Sequence, residues 1–144
     1  MMPYCGARTT GAHGQRQLSM AKVLIVEDEL LVAEAMSHFL GHAGHNVVGI
    51  AKDEVSALSQ AAAENPDVVL MDVRLADARD GIKTAQKMQA QQPVDVVFVT
   101  ASGDPRTRAR AAAAQPAGFI LKPFSSEELL NAVATAERRH RNFC

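Results

Sequence analysis

The chain is short of aromatics, of cysteine and of long apolar runs, and each shortage removes a class of protein. Its 144 residues include no tryptophan, one tyrosine and five phenylalanines, 4% aromatic in all. A core drawn from this composition is aliphatic, and the abundance of alanine makes the fold helix-rich. Cysteine occurs only as Cys5 and Cys144, near opposite ends, with no CxxC partner and no histidine at ligand spacing. A zinc ribbon or redox motif is thereby excluded. The chain needs no disulfide and suits a reducing cytosol. No apolar stretch approaches the ~20 residues that cross a bilayer, and the first residues lack the apolar segment of a secretion signal. Net charge is only −1, so bulk electrostatics offer no case for direct nucleic-acid binding. These absences lead to the expectation of a cytoplasmic protein with no membrane association.

What the chain does have is 47% hydrophobic residues over a length that suits one domain with a sizeable core and not two. Residues 1–20 show no sustained periodicity and read as a flexible N-terminal extension, with Met20 as an alternative native start. Residues 21–140 carry the domain, and no output domain is expected after it. In this segment short apolar, β-branched runs predict buried strands at 22–26, 46–51, 68–72, 94–100 and 118–121.

Between the strands lie segments of helical length and period. The first, 30–42, places Leu31, Ala35, Phe39 and Leu40 near one stripe and closes on Gly41 and Gly44. The second, 54–64, presents Val55, Leu58 and Ala62 and ends before Asn65-Pro66. The third, about 81–91, spaces Ile82, Ala85 and Met88 at helical intervals. A fourth, near 105–114, opens with Asp104 as N-cap and Pro105 at the first position. The last begins at Ser125 or Ser126, where Glu128 can close a capping box on Ser125, and runs through Leu129, Leu130, Val133 and Ala134 to about Arg139.

Five strands alternating with five helices argue for a doubly wound α/β architecture around a parallel sheet. Function in such sheets gathers at the carboxyl ends of the strands. There the chain places Glu27, Asp28 and Glu29 after the first strand, Asp72 at the end of the third and Thr100 closing the fourth. Lys122-Pro123 follows the fifth. With the first, third and fourth strands as neighbours, the carboxylates converge with a hydroxyl and an ammonium. Carboxylates so close raise one another's pKa unless a cation neutralises them. Hard oxygen ligands suit Mg²⁺, while Lys122 and Thr100 suit phosphate oxygens. An aspartate in this company can act as a nucleophile towards phosphorus and form an acyl phosphate.

The segments VLIVEDE (23–29), VVLMDVRL (68–75), FVTAS (98–102) and GFILKPF (118–124), in this order, resemble the response-regulator receiver family over about residues 21–138. The resemblance implies a flavodoxin-like (βα)5 fold with strand order 2-1-3-4-5. It makes Asp72 the phosphoacceptor, with Mg²⁺ held by Glu27, Asp28, Asp72 and the backbone carbonyl of Arg74. Lys122, Thr100 and the amide of Ala101 would bind the phosphoryl group. Thr100 and Phe119 would be the switch residues, and Pro123 the structural proline that commonly follows a cis bond. The implied partners are a histidine kinase or histidine phosphotransfer protein, docking around Leu30–Phe39, and a downstream protein target. That target would contact the face of the fourth helix, fifth strand and fifth helix, with homodimerisation on phosphorylation. At Ala76–Gly81 the chain departs from the family, with a loop one residue longer than usual. Arg74 and Ser102 occupy positions that tune phosphoryl lifetime in the family.

Other readings stand beside this one. The acidic run 27–29 also suits a helix N-terminus, and Phe119 also suits plain core packing. His38 and His42 lie four apart, a spacing compatible with metal but more ordinary as surface or core histidines. Arg106, Arg108 and Arg110 read as a solvated face, with a partner surface as the alternative. An aspartyl-phosphate hydrolase calls for a second aspartate two residues after Asp72, where Arg74 stands. Nucleotide binding lacks any glycine-rich phosphate motif. A pseudo-receiver, a binding module working without phosphorylation, is the alternative from another class.

Overall fold

Runs such as Val23-Leu24-Ile25-Val26 are apolar on both sides of the pleat, so they are stable only where helices cover both faces of a sheet. The computed structural model, which describes residues 20–76 and 80–143, has that form. Its strands are β1 (Lys22–Val26), β2 (Asn46–Ala51), β3 (Val68–Met71), β4 (Asp95–Thr100) and β5 (Gly118–Leu121). Its helices are α1 (Leu30–His42), α2 (Glu54–Glu64), α3 (Gly81–Gln91), α4 (Pro105–Ala112) and α5 (Ser126–Phe143). The strands form one parallel sheet in the order β2-β1-β3-β4-β5. Residues 1–19 of the expected extension and both cysteines lie outside the described residues.

Alternation along the strands divides the core in two. Leu24, Val26, Val69, Met71, Val96 and Phe98 face α2, α3 and α4. Val23, Ile25, Val68, Leu70, Val97 and Val99 face α1 and α5. Among the described residues Phe98 is the largest fully buried side chain, and it sits in the middle of β4.

The helix signals at Asp104 and Ser125 operate as expected. Asp104 Oδ1 accepts from the Thr107 amide at 2.9 Å. Ser125 and Glu128 exchange the two hydrogen bonds of a capping box, at 2.9 and 3.1 Å. Gly44, after α1, takes a positive φ of 98°, which a residue without Cβ adopts at no steric cost.

Two expected stripes are right only in part: Leu40 is buried and Phe39 and Leu58 pack against the core, but the rest of each stripe faces outward. In α1 the buried residues are Ala33, Met36 and Leu40, while Leu31 and Ala35 are exposed. In α2 they are Glu54, Ala57 and Ala61, while Val55 and Ala62 are exposed. Both helices are apolar over much of their circumference, so periodicity alone does not select the face. Strand β3 stops at Met71, β4 starts at Asp95, α4 stops at Ala112 and α5 runs on to Phe143.

The extra length of α5 has a cause at the base of the sheet. Arg139 Nε pairs with the buried Asp95 at 2.7 Å, and its terminal nitrogens donate to the carbonyls of Pro116 and Gln115 at 2.9 and 2.6 Å. His140 lies 3.5 Å from Asp67 and 3.4 Å from Asp95. Asp67 also accepts from the Lys22 amide at 2.9 Å. The amino ends of β1, β3 and β4 are thereby tied to one another and to α5. Among the described residues no helix is long and apolar enough to cross a membrane.

Candidate functional site

At the opposite rim, strand-to-strand hydrogen bonds continue one residue past the ladder and fix the backbone of the charged residues. The Glu27 amide donates to Ala51 at 2.8 Å, Asp72 to Val26 at 3.0 Å and Lys122 to Thr100 at 2.9 Å. Glu27, Asp72 and Thr100 are buried, and Asp28 is exposed. One oxygen from each of Glu27, Asp28 and Asp72 can be chosen so that all lie within 4.8 Å of one another. The sequence-based grouping of these three is thus brought together in space.

Lys122 is the cation among them. Its Nζ lies 2.8 Å from Glu27 Oε1, 3.4 Å from Asp72 Oδ2 and 3.5 Å from Glu29 Oε1. Burial works against this ammonium, but the hydrogen bond with Glu27 and the negative charge of Asp72 outweigh it and hold its pKa above the ordinary value. Glu27 shows the converse. Burial first, and the neighbouring Asp72 second, push its carboxyl up to about 7 against the opposing pull of Lys122. The raised pKa of Glu27 thus comes mainly from burial, and repulsion by Asp72, the cause expected from the sequence, is the smaller contribution. One lysine leaves the acidic cluster under-neutralised.

That imbalance is the test of metal fit. Three converging carboxylates, one of them solvent-facing, are hard oxygen donors with room for waters, the combination that Mg²⁺ takes. The residues present fit the ion. The reading of 27–29 as a simple helix cap fits less well. Glu29 precedes α1 without a side-chain cap, and its amide donates back to Glu27 Oε2 at 3.1 Å.

Around this centre, Thr100 Oγ1 accepts from the Ser102 amide at 3.2 Å, and Ser102 Oγ donates to Asp104 at 2.8 Å. The Arg74 amide donates to Asp72 Oδ1 at 3.3 Å. The Lys122-Pro123 bond is cis. Phe119 is half-buried, 6.5 Å from the Phe98 ring, with the Arg108 guanidinium 4.5 Å from its ring centroid. Phe119 thus joins the core and touches α4 at once. Residues 77–79 of the long loop lie outside the described residues. His38 and His42 are exposed on α1 and stack on one another at 5.3 Å, away from the acidic cluster.

One site residue escaped the sequence reading. Gly81, the first residue of α3, donates to the Val73 carbonyl at 2.6 Å, and an added Cβ would overlap the carbonyl oxygen of Asp72. Asp80 caps the same helix by accepting from the Ile82 amide at 2.9 Å. The Asp-Gly pair is a turn signal in sequence, but its approach to Asp72 is a tertiary fact.

A family model described as "Response regulator receiver domain" matches residues 23–134. The transcriptional regulatory protein PdtaR of Mycobacterium tuberculosis is 34% identical over 120 residues, 83% of this chain and 58% of that protein. The phyllosphere-induced regulator PhyR of Methylorubrum extorquens is 30% identical over 116 residues, covering 80% and 43%. This chain spans about half the length of the curated relatives it matches. Among solved structures, the signal receiver domain of a modulated diguanylate cyclase from Desulfovibrio desulfuricans G20 superposes with a TM-score of 0.81 at 30% identity, covering 88% of this chain and all of that one. The response regulator PhyR from Brucella abortus gives 0.76 at 27%, covering 88% and 51%. With its fold, strand order and matched segment all in agreement, the chain belongs to the response regulator receiver domain family.

Proposed function

We propose that this protein is a phosphorylation-driven signalling switch that accepts a phosphoryl group on Asp72 from a phosphohistidine donor. The observation that carries the reading is the cluster itself. Asp72 is buried beside Glu27 and Asp28 and within reach of Lys122, at the carboxyl ends of adjacent strands. In the transfer, a carboxylate oxygen of Asp72 forms a bond to phosphorus as the bond from phosphorus to the donor's imidazole nitrogen breaks. The product is an acyl phosphate and a free histidine. Lys122 draws the incoming phosphoryl oxygens and balances the charge that Asp72 shares with them. Thr100, on the neighbouring strand, and the Ala101 amide offer donors on the far side. Bound Mg²⁺ would be held by Glu27, Asp28, Asp72 and the Arg74 carbonyl, and supplies charge neutralisation between carboxylates and phosphoryl group.

The protein's own catalysis in this reading extends to its phosphorylation and dephosphorylation. Its output is contact with another protein, with Thr100 and Phe119 shifting as the site is charged. Exposed Leu30 and Leu31 on α1 offer apolar contacts for the donor beside the site.

Intact mass followed over time with acetyl phosphate and Mg²⁺ tests the proposal. Incorporation of one phosphoryl group, lost in Asp72→Asn, is the expected outcome. No incorporation with metal present would overturn it in favour of a binding module that works without phosphorylation.

A further inference from the structure

Helix α4 is the element beside the site that apolar packing holds least. Of its eight residues only Ala111 is buried, whereas α1 buries three side chains and α3 four beside Gly81. A helix so shallowly seated takes its position from whatever polar contacts it makes, since little burial competes with them.

Two arginines make those contacts. The Arg108 guanidinium stands 4.5 Å from the centroid of the Phe119 ring, inside cation–π range. Arg110 pairs with the carboxylate of Asp80. Residues two apart on a helix project about 200° from one another, so these arms reach different elements, β5 on one side and the start of α3 on the other.

Both arms end next to the site. Phe119 precedes Lys122 by three residues on the strand that delivers the ammonium. Asp80 caps α3 through its second oxygen and adjoins Gly81, which packs on the Asp72 carbonyl. The plain alternative is that two surface arginines have met their nearest counter-groups. Against it stands the economy of α4, which has one buried alanine and no acidic residue in its first turn.

We infer that Arg108 and Arg110 are positioning residues, a two-armed latch that sets α4 by gripping Phe119 with one arm and the Asp80 cap beside Asp72 with the other. A phosphoryl group on Asp72 that draws Lys122 and Thr100 inward disturbs both grips together, and α4 is released as a unit. The resting latch stands independently of phosphorylation. Its release rests on the acceptor role of Asp72.

Hydrogen–deuterium exchange on the whole chain, read peptide by peptide, separates the two. Arg108→Met and Arg110→Met keep the aliphatic stems and remove the charges. Each should speed exchange in α4 several-fold and the double variant about tenfold, with α3 and β4 unchanged. Asp80→Asn should match Arg110→Met, because asparagine still caps α3 but carries no charge. Unaltered α4 exchange in the double variant, or equal gains in α3 and β4, would sink the latch. Acetyl phosphate with Mg²⁺ should then raise α4 exchange in the parent to the double-variant level and add nothing in the double variant. Phosphoryl incorporation that leaves α4 exchange unmoved would overturn the release. No incorporation, with the first result intact, would instead fell the acceptor reading and leave the resting latch in place.

Discussion

Gly81 has no room for a methyl group, because the Asp72 carbonyl oxygen occupies the space a Cβ would need. Gly81→Ala must therefore displace backbone rather than a flexible side chain. Overpacking of this kind costs about 1–3 kcal/mol, which urea unfolding should register, and the same shift should slow phosphoryl incorporation. Asp28→Asn should behave in the opposite way. Asp28 is exposed, so its loss leaves the metal-free protein as stable as before. Millimolar Mg²⁺ should raise the melting temperature of the parent by mass action and have little effect on this variant. At this scale the convergence of Glu27, Asp28, Asp72 and Lys122 on one rim was legible in sequence, because a strand's end fixes where the next residue goes. The roles of Gly81 and of Glu29, which leans on Lys122, were not. The first depends on the close approach of Gly81 to the Asp72 backbone, the second on a partner far along the chain.

Helix α1, LLVAEAMSHFLGH, shows why element boundaries can be read correctly while a face is missed. Its start and end were legible from the acidic run before it and the glycines at its close. Its apolar residues cover too much of the circumference for a single stripe to stand out, and the sheet selects Ala33, Met36 and Leu40. Met36→Ala should therefore cost about 2–5 kcal/mol in chemical denaturation. Leu31→Ala and Val55→Ala, on side chains 81% and 76% exposed, should stay within about 0.5 kcal/mol. A large loss at Leu31 or Val55 would show the helix faces to be misassigned. Helix α3, by contrast, has polar residues opposite Ile82, Ala85 and Met88, and its buried face was plain from spacing.

For the whole molecule, pH acts at both ends of the sheet. His45, in the turn before β2, accepts from the Ala21 amide through Nδ1 at 3.1 Å. Burial lowers its pKa below the ordinary 6.5, against the opposing pull of Glu137. The unfolded chain thus takes up the proton first as the pH falls. The stability His45 contributes is complete above 6.5 and is lost as pH drops below that value towards the folded pKa. Glu27, its carboxyl pushed up to about 7, works the other way and adds stability as the pH falls below that value. The change in urea midpoint from about pH 7.5 to pH 5.5 should therefore be more favourable in His45→Asn than in the parent. The same slope in both proteins would assign the titration elsewhere. Fold class and strand order were accessible because buried parallel strands need apolar runs and crossover helices. The ion pair of Arg139 and the contacts of His140 beneath the sheet were not, since nothing in a helical tail marks which distant aspartates it will meet. Those contacts also limit how the molecule can respond. With the amino ends of three strands bolted to α5, the sheet behaves as a beam fixed at one end. A charge added at its free tip cannot be absorbed by sliding strands, and the strain must pass sideways into the loosest neighbouring part.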